Sequence, residues 1–78
     1  MALITRFNEK QRDRYTTHKA IEAEYYVLKT DGKVRLIQID TKGTEDREIP
    51  QKLSQTIQLN RESARSLFNI LKREFGFT

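Results

Sequence analysis

The sequence predicts an α+β fold: a twisted antiparallel β-sheet of three to four strands, followed by one C-terminal α-helix, paired as a dimer. Three observations predict it. Two runs of β-forming residues flank Asp31-Gly32. The stretch Thr56-Ile57-Gln58-Leu59 alternates polar and apolar. An apolar stripe with a stop signal at each end fills the last part of the chain.

The hairpin comes first. Tyr25, Tyr26, Val27 and Leu28 favour extended backbone, as do Val34, Ile37 and Ile39. Asp-Gly supplies the positive φ angles of a type I′ turn, whose twist suits a two-residue loop. Strands are therefore expected at about 22–30 and 33–41. A regular ladder around that loop sets Val27 opposite Leu36 and Tyr26 opposite Ile37. One face then carries Tyr26, Leu28, Ile37 and Ile39. The other carries Ala23, Tyr25, Val27, Lys29, Leu36 and Gln38. Neither face is cleanly polar, which implies cover on both sides: the helix on one, a partner or ligand on the other.

The stretch "TKGTEDREIPQKLSQ" is polar and punctuated by Gly43 and Pro50. Ile49 and Leu53 suggest an edge strand or wing broken by Pro50, which removes a ladder donor. The acids Glu45, Asp46 and Glu48 read as a solvated loop, since nothing fixes a metal geometry there. The alternation at 56–59 then marks a half-buried strand.

The helix is expected at 61–75. Asn60 is a good N-cap. Glu62 suits the positive end of the helix dipole, and Lys72 and Arg73 the negative end. Ala64, Leu67, Phe68, Leu71 and Phe75 recur at spacings of three and four, with Ile70 beside them. Gly76 is placed to end the helix in a left-handed conformation, with Phe77 as the apolar residue that follows. This stripe is broad for one small sheet to bury. Leu67, Phe68, Leu71 and Phe75 are therefore the expected dimer interface. Length argues the same way: a 78-residue chain without Cys has no disulfide to staple a small core.

Charge is unevenly spread. The net charge is +4. Residues 1–19 hold five bases (Arg6, Lys10, Arg12, Arg14, Lys19) against two acids, Glu9 and Asp13. Residues 20–78 are nearly balanced. The expected organisation is a basic N-terminal tail over 1–19 and one domain over 20–78. The tail reads either as a solvated terminus or as an arm that follows a phosphate backbone. No long apolar run suggests a membrane span, and the start lacks the apolar core of a secretory signal. The expected location is cytoplasmic, associated with DNA.

Catalytic chemistry is poorly supplied. With no Cys, one His (His18) and no Gly-rich phosphate loop, neither an enzyme nor a cofactor is expected. Binding chemistry is better supplied. Single strands are held by positive grooves and by aromatic side chains on which bases stack. Tyr25 and Tyr26 share a strand with Lys29, across from Lys33 and Arg35. Alternation turns one tyrosine away from the helix, and on the facing above that residue is Tyr25. Lys42, Arg47 and Lys52 decorate the wing.

Two stretches together resemble the positive-cofactor-four family of single-stranded-DNA-binding transcriptional coactivators. "GKVRLIQI" at 32–39 looks like the family's "GKVLIDI" hairpin arm with one extra residue near Arg35. "IQLNRE" at 57–62, followed by Leu67, is similar to the family's "ISLN", acidic residue and helix. The resemblance covers about residues 23–71. It implies a dimer whose two sheets cradle single-stranded DNA. It implies a DNA contact at Lys33, and places Lys52 in the family's basic segment. Thr30 and Asp40 stand where the family has an aromatic and a basic residue.

The expected DNA-binding residues are thus Arg6, Lys10, Arg12, Arg14, Tyr25, Lys29, Lys33, Arg35 and Lys52. The expected function is sequence-tolerant single-stranded DNA binding in transcription, replication or recombination, with transcription or replication proteins as further partners. Two other readings stay open. One is a duplex-binding regulator of ribbon-helix-helix type, for which "TIQLNRESARSLFNIL" supplies a strand and first helix. The other is a protein-interaction module.

Overall fold

The computed structural model describes residues 1–42 and 53–78. The chain runs β1 (Ala2–Ile4), β2 (Ala23–Thr30), β3 (Lys33–Lys42), β4 (Leu53–Leu59) and α1 (Arg61–Phe75). The strands form one sheet in the order β1-β4-β3-β2, followed by the single helix. The fold is α+β, as expected. The sheet is mixed rather than purely antiparallel. β2, β3 and β4 pair antiparallel, while β1 adds parallel to β4, with Ala2 beside Ile57 and Ile4 beside Leu59. The first residues of the expected tail thus form a sheet edge. Residues 5–22 then carry the chain to β2 at the opposite edge.

The turn forms as its residues dictate. Asp31 and Gly32 both take left-handed conformations, with φ of 54° and 76°. The register differs from the regular ladder. Lys29 pairs with Val34, but Leu28 pairs with Leu36, so Arg35 is the extra residue of a β-bulge. Beyond it, Val27 lies opposite Ile37, Tyr26 opposite Gln38 and Tyr25 opposite Ile39. This corrects the expected faces. Tyr25 and Val27 share a face with Ile37, Ile39, Ile57 and Leu59, an apolar face. Tyr26 and Leu28 share the other with Leu36, Gln38, Asp40, Thr56 and Gln58.

The helix is closed by its own sequence at both ends. Asn60 Oδ1 accepts from the Ser63 amide at 2.9 Å, and Ser63 Oγ accepts from the Asn60 amide at 3.0 Å. Two donors left over at a helix start are satisfied in one reciprocal box. At the far end Gly76 is left-handed, and the Gly76 and Phe77 amides both reach the Lys72 carbonyl. The Phe75 and Phe77 rings stack at 5.5 Å.

The core is thin. Leu59, at the sheet's exit into the helix, is the buried hydrophobic side chain among the described residues. Ser63 and Asp40 are the buried polar ones. The radius of gyration is 15.0 Å, against about 11–12 Å for a compact chain of this length. No helix among the described residues is long and apolar enough to cross a membrane.

Candidate nucleic-acid interface

The hairpin tip gathers three cations. Lys29 closes β2, Lys33 opens β3, and Arg35 follows within the same turn of chain. All three are exposed. The tight turn fixes Lys33 beside Thr30 and Lys29 beside Val34. The bulge at Arg35 interrupts the ladder where its side chain leaves the strand, and such interruptions re-aim a side chain. Among the described residues no ion pair neutralises any of the three.

Tyr25 stands on the face that Lys29 shares, about 13 Å along the strand. It is 73% exposed. A phenol ring with that much free surface has room to stack on a planar partner. Tyr26 is less open and lies on the other face, near Lys42.

That other face is built differently. Gln58 Nε2 donates to Gln38 Oε1 at 2.9 Å, and Gln38 Nε2 donates to Asp40 Oδ1 at 3.1 Å. Thr56 Oγ1 donates to the same Asp40 oxygen at 3.0 Å. The buried carboxylate is therefore the acceptor on which a row of side chains across β3 and β4 is oriented. Beside the row lies a hollow of about 510 Å³ lined by Met1, Ala2, Leu3, Gln38, Thr56 and Gln58. At the end of β3, Lys42 Nζ meets Glu24 Oε1 at 2.8 Å. The hydrogen bond and charge of Glu24 raise the Lys42 pKa above its usual 10.5.

The remaining expected residues are scattered. Arg6, Lys10, Arg12 and Arg14 are exposed along the segment that links β1 to β2. Lys52 lies outside the described residues, as do Arg47, Pro50 and the acids Glu45, Asp46 and Glu48. On the helix, Phe68, Leu71 and Phe75 are exposed, while Leu67 is half-buried. The structure brings Lys29, Lys33 and Arg35 together, with Tyr25 on the Lys29 face. Sequence reasoning missed Ser63 and the Gln38–Asp40–Thr56–Gln58 row. The signals were present: Asn60 and Ser63 have capping-box spacing, and both polar pairs sit at alternate strand positions.

Among the described residues no group of three or more His, Asp or Glu side chains is placed to hold a metal. Compared with known proteins, the chain matches no family model, no curated protein and no solved structure.

Proposed function

We propose that the protein binds single-stranded DNA with little sequence preference, as a homodimer that serves transcription, replication or recombination. The observation that carries this reading is the hairpin tip: three exposed, unneutralised cations beside a strand whose Tyr25 is open on the Lys29 face. Cations that follow a backbone and a ring that accepts any base are the two parts such binding needs. The resemblance of "GKVRLIQI" and "IQLNRE" to a single-strand-binding family supports it. So does the bulge at Arg35, which falls where that comparison needs one extra residue. The exposed Phe68, Leu71 and Phe75 supply a surface for the dimer.

The ribbon-helix-helix alternative is disfavoured by topology. β4 lies between β1 and β3, so over Ile57–Leu59 both of its edges are already paired. Over that stretch it offers no free edge to a second copy's ribbon.

The test is a titration of labelled oligo-dT and of a duplex of equal length at two salt concentrations. The expected result is tighter binding to the single strand, weakened by salt. Lys33→Ala should reduce the salt slope by about 0.7, the share of one phosphate contact on a single strand. No binding to oligo-dT at low salt, or preference for the duplex, overturns the reading. An unchanged slope removes Lys33 from the interface.

A further inference from the structure

The outer backbone edge of β2 has no partner in the fold, and the DNA reading uses two of its side chains, Tyr25 and Lys29, but not that edge. β2 is eight residues long and pairs on one side only, with β3. Among the described residues no strand covers its other side. Such an edge presents a row of free amides and carbonyls that template another strand, and proteins commonly blunt it with proline, a bulge or a central lysine. β2 carries no proline and no bulge of its own, and its charged residues, Glu24 and Lys29, stand toward its ends. Its bulge partner, Arg35, sits in β3, and its middle reads Tyr25-Tyr26-Val27-Leu28. Tyr25, Tyr26 and Val27 are 73%, 43% and 45% exposed.

We propose that this edge pairs with the β2 edge of a second copy, antiparallel about a two-fold axis near Tyr26, joining the two four-stranded sheets into one. Charge favours this direction: Glu22 and Glu24 lie at the start of the β2 region, and Lys29 at its end. Parallel pairing sets like against like. Glu24 is held by Lys42 of its own chain, and Lys29 lies on the opposite face from both acids, so it is the apolar centre, complementary to itself under antiparallel pairing, that favours a second copy. With the axis at Tyr26, each Tyr25 lies opposite the other copy's Val27 on the apolar face. Aromatic and β-branched cross-strand pairs of this kind are stabilising. The apolar face then runs unbroken from one copy to the next, and the two exposed tyrosines and valines cover one another. A two-fold contact uses the same patch on both copies, so it closes on itself.

This contact is separate from the helix stripe and does not rest on the DNA reading, although both draw on Tyr25. If both surfaces are used, the native protein is larger than a dimer in solution.

The absence of Cys makes a direct test clean. Tyr26→Cys places one thiol per chain at the axis. A short bis-maleimide should link it into covalent dimers well above the level seen for Tyr15→Cys, whose position is 83% exposed and lies off the sheet. Light-scattering mass should fall by at least half on Tyr25→Lys with Val27→Lys, with the circular dichroism unchanged. In a Phe68→Lys with Phe75→Lys background, the protein should still dimerise, and adding the two β2 changes should leave monomer. Cross-linking of Tyr26→Cys at the Tyr15→Cys level overturns the proposal. So does a folded Tyr25→Lys, Val27→Lys protein whose mass equals that of the native chain. If the double lysine variant fails to fold, the cross-linking comparison decides alone.

Discussion

The two faces of the sheet are organised by different physics. The apolar face collects Tyr25, Val27, Ile37, Ile39, Ile57 and Leu59, yet of these only Leu59 is buried. Its order depends on covering apolar area, so it gains from every surface that covers it. The polar face needs no such cover. Its centre is the buried Asp40 carboxylate, which receives Gln38 and Thr56, with Gln58 linked through Gln38. Hydrogen bonds are directional and individually modest, but a buried group left without its partner is costly. The first face therefore tolerates a loss of geometry better than a loss of area. The second behaves the opposite way. An assembly surface is best built on the first kind, and a fixed scaffold on the second.

The comparison breaks most easily at Leu59. Leu59→Ala should destabilise the protein by about 3 kcal/mol, within the range of about 2–5 kcal/mol for deleting a buried leucine. Small domains have little stability in reserve, so urea denaturation should show a much lower midpoint or a chain already partly unfolded. A change under about 0.5 kcal/mol would mean that Leu59 is not the anchor its burial suggests.

Asp40 is the counterpart on the other face. Asp40→Ala should cost about 1–3 kcal/mol, because it strands the Thr56 hydroxyl and the Gln38 amide rather than because it removes bulk. Asp40→Asn keeps an acceptor oxygen at nearly the same place and should recover part of the loss. That rescue sharpens the contrast, since no polar residue should rescue Leu59→Ala. Equal effects of Asp40→Ala and Asp40→Asn would show that the row is held by charge rather than by acceptor geometry.

What was legible in the sequence follows the range of the determinants. The turn at Asp31-Gly32, the helix at 61–75 and its left-handed Gly76 rest on neighbours within four residues, and each formed as read. The faces of β2 and β3 did not follow. One bulge residue, Arg35, shifts every pair beyond it and moves Tyr25 from the polar partner set to the apolar one. No local signal in "KVRLIQ" separates a bulge from a regular ladder; only the comparison with "GKVLIDI" marked an extra residue there. β1 was not legible at all. Three residues are too few for a pattern, and their partner strand lies more than fifty positions away in the chain. The same division holds at the candidate interface. Lys29, Lys33 and Arg35 cluster because a two-residue turn forces them to. The placing of Arg6, Lys10, Arg12 and Arg14 depends on how residues 5–22 cross between the two edges, which composition does not encode.

The smallest expected effect lies where the polar face meets solvent. Lys42 and Glu24 form a close pair at the rim, and the pair's hydrogen bond and charge raise the lysine pKa above 10.5, against a weaker opposing effect of burial. A group whose pKa is raised by folding stabilises the fold fully below its unfolded value. That contribution disappears as pH climbs through the raised folded value. Both side chains remain partly open to water, so near neutral pH Glu24→Gln should barely change the urea midpoint. The difference should appear only in the shape of the alkaline limb. Native protein should lose stability more steeply than Glu24→Gln as pH climbs above about 10.4, and the two should converge once the raised folded value has been passed. Parallel limbs would mean that the ion pair contributes nothing to the fold. The polar face would then be held by the Asp40 row alone.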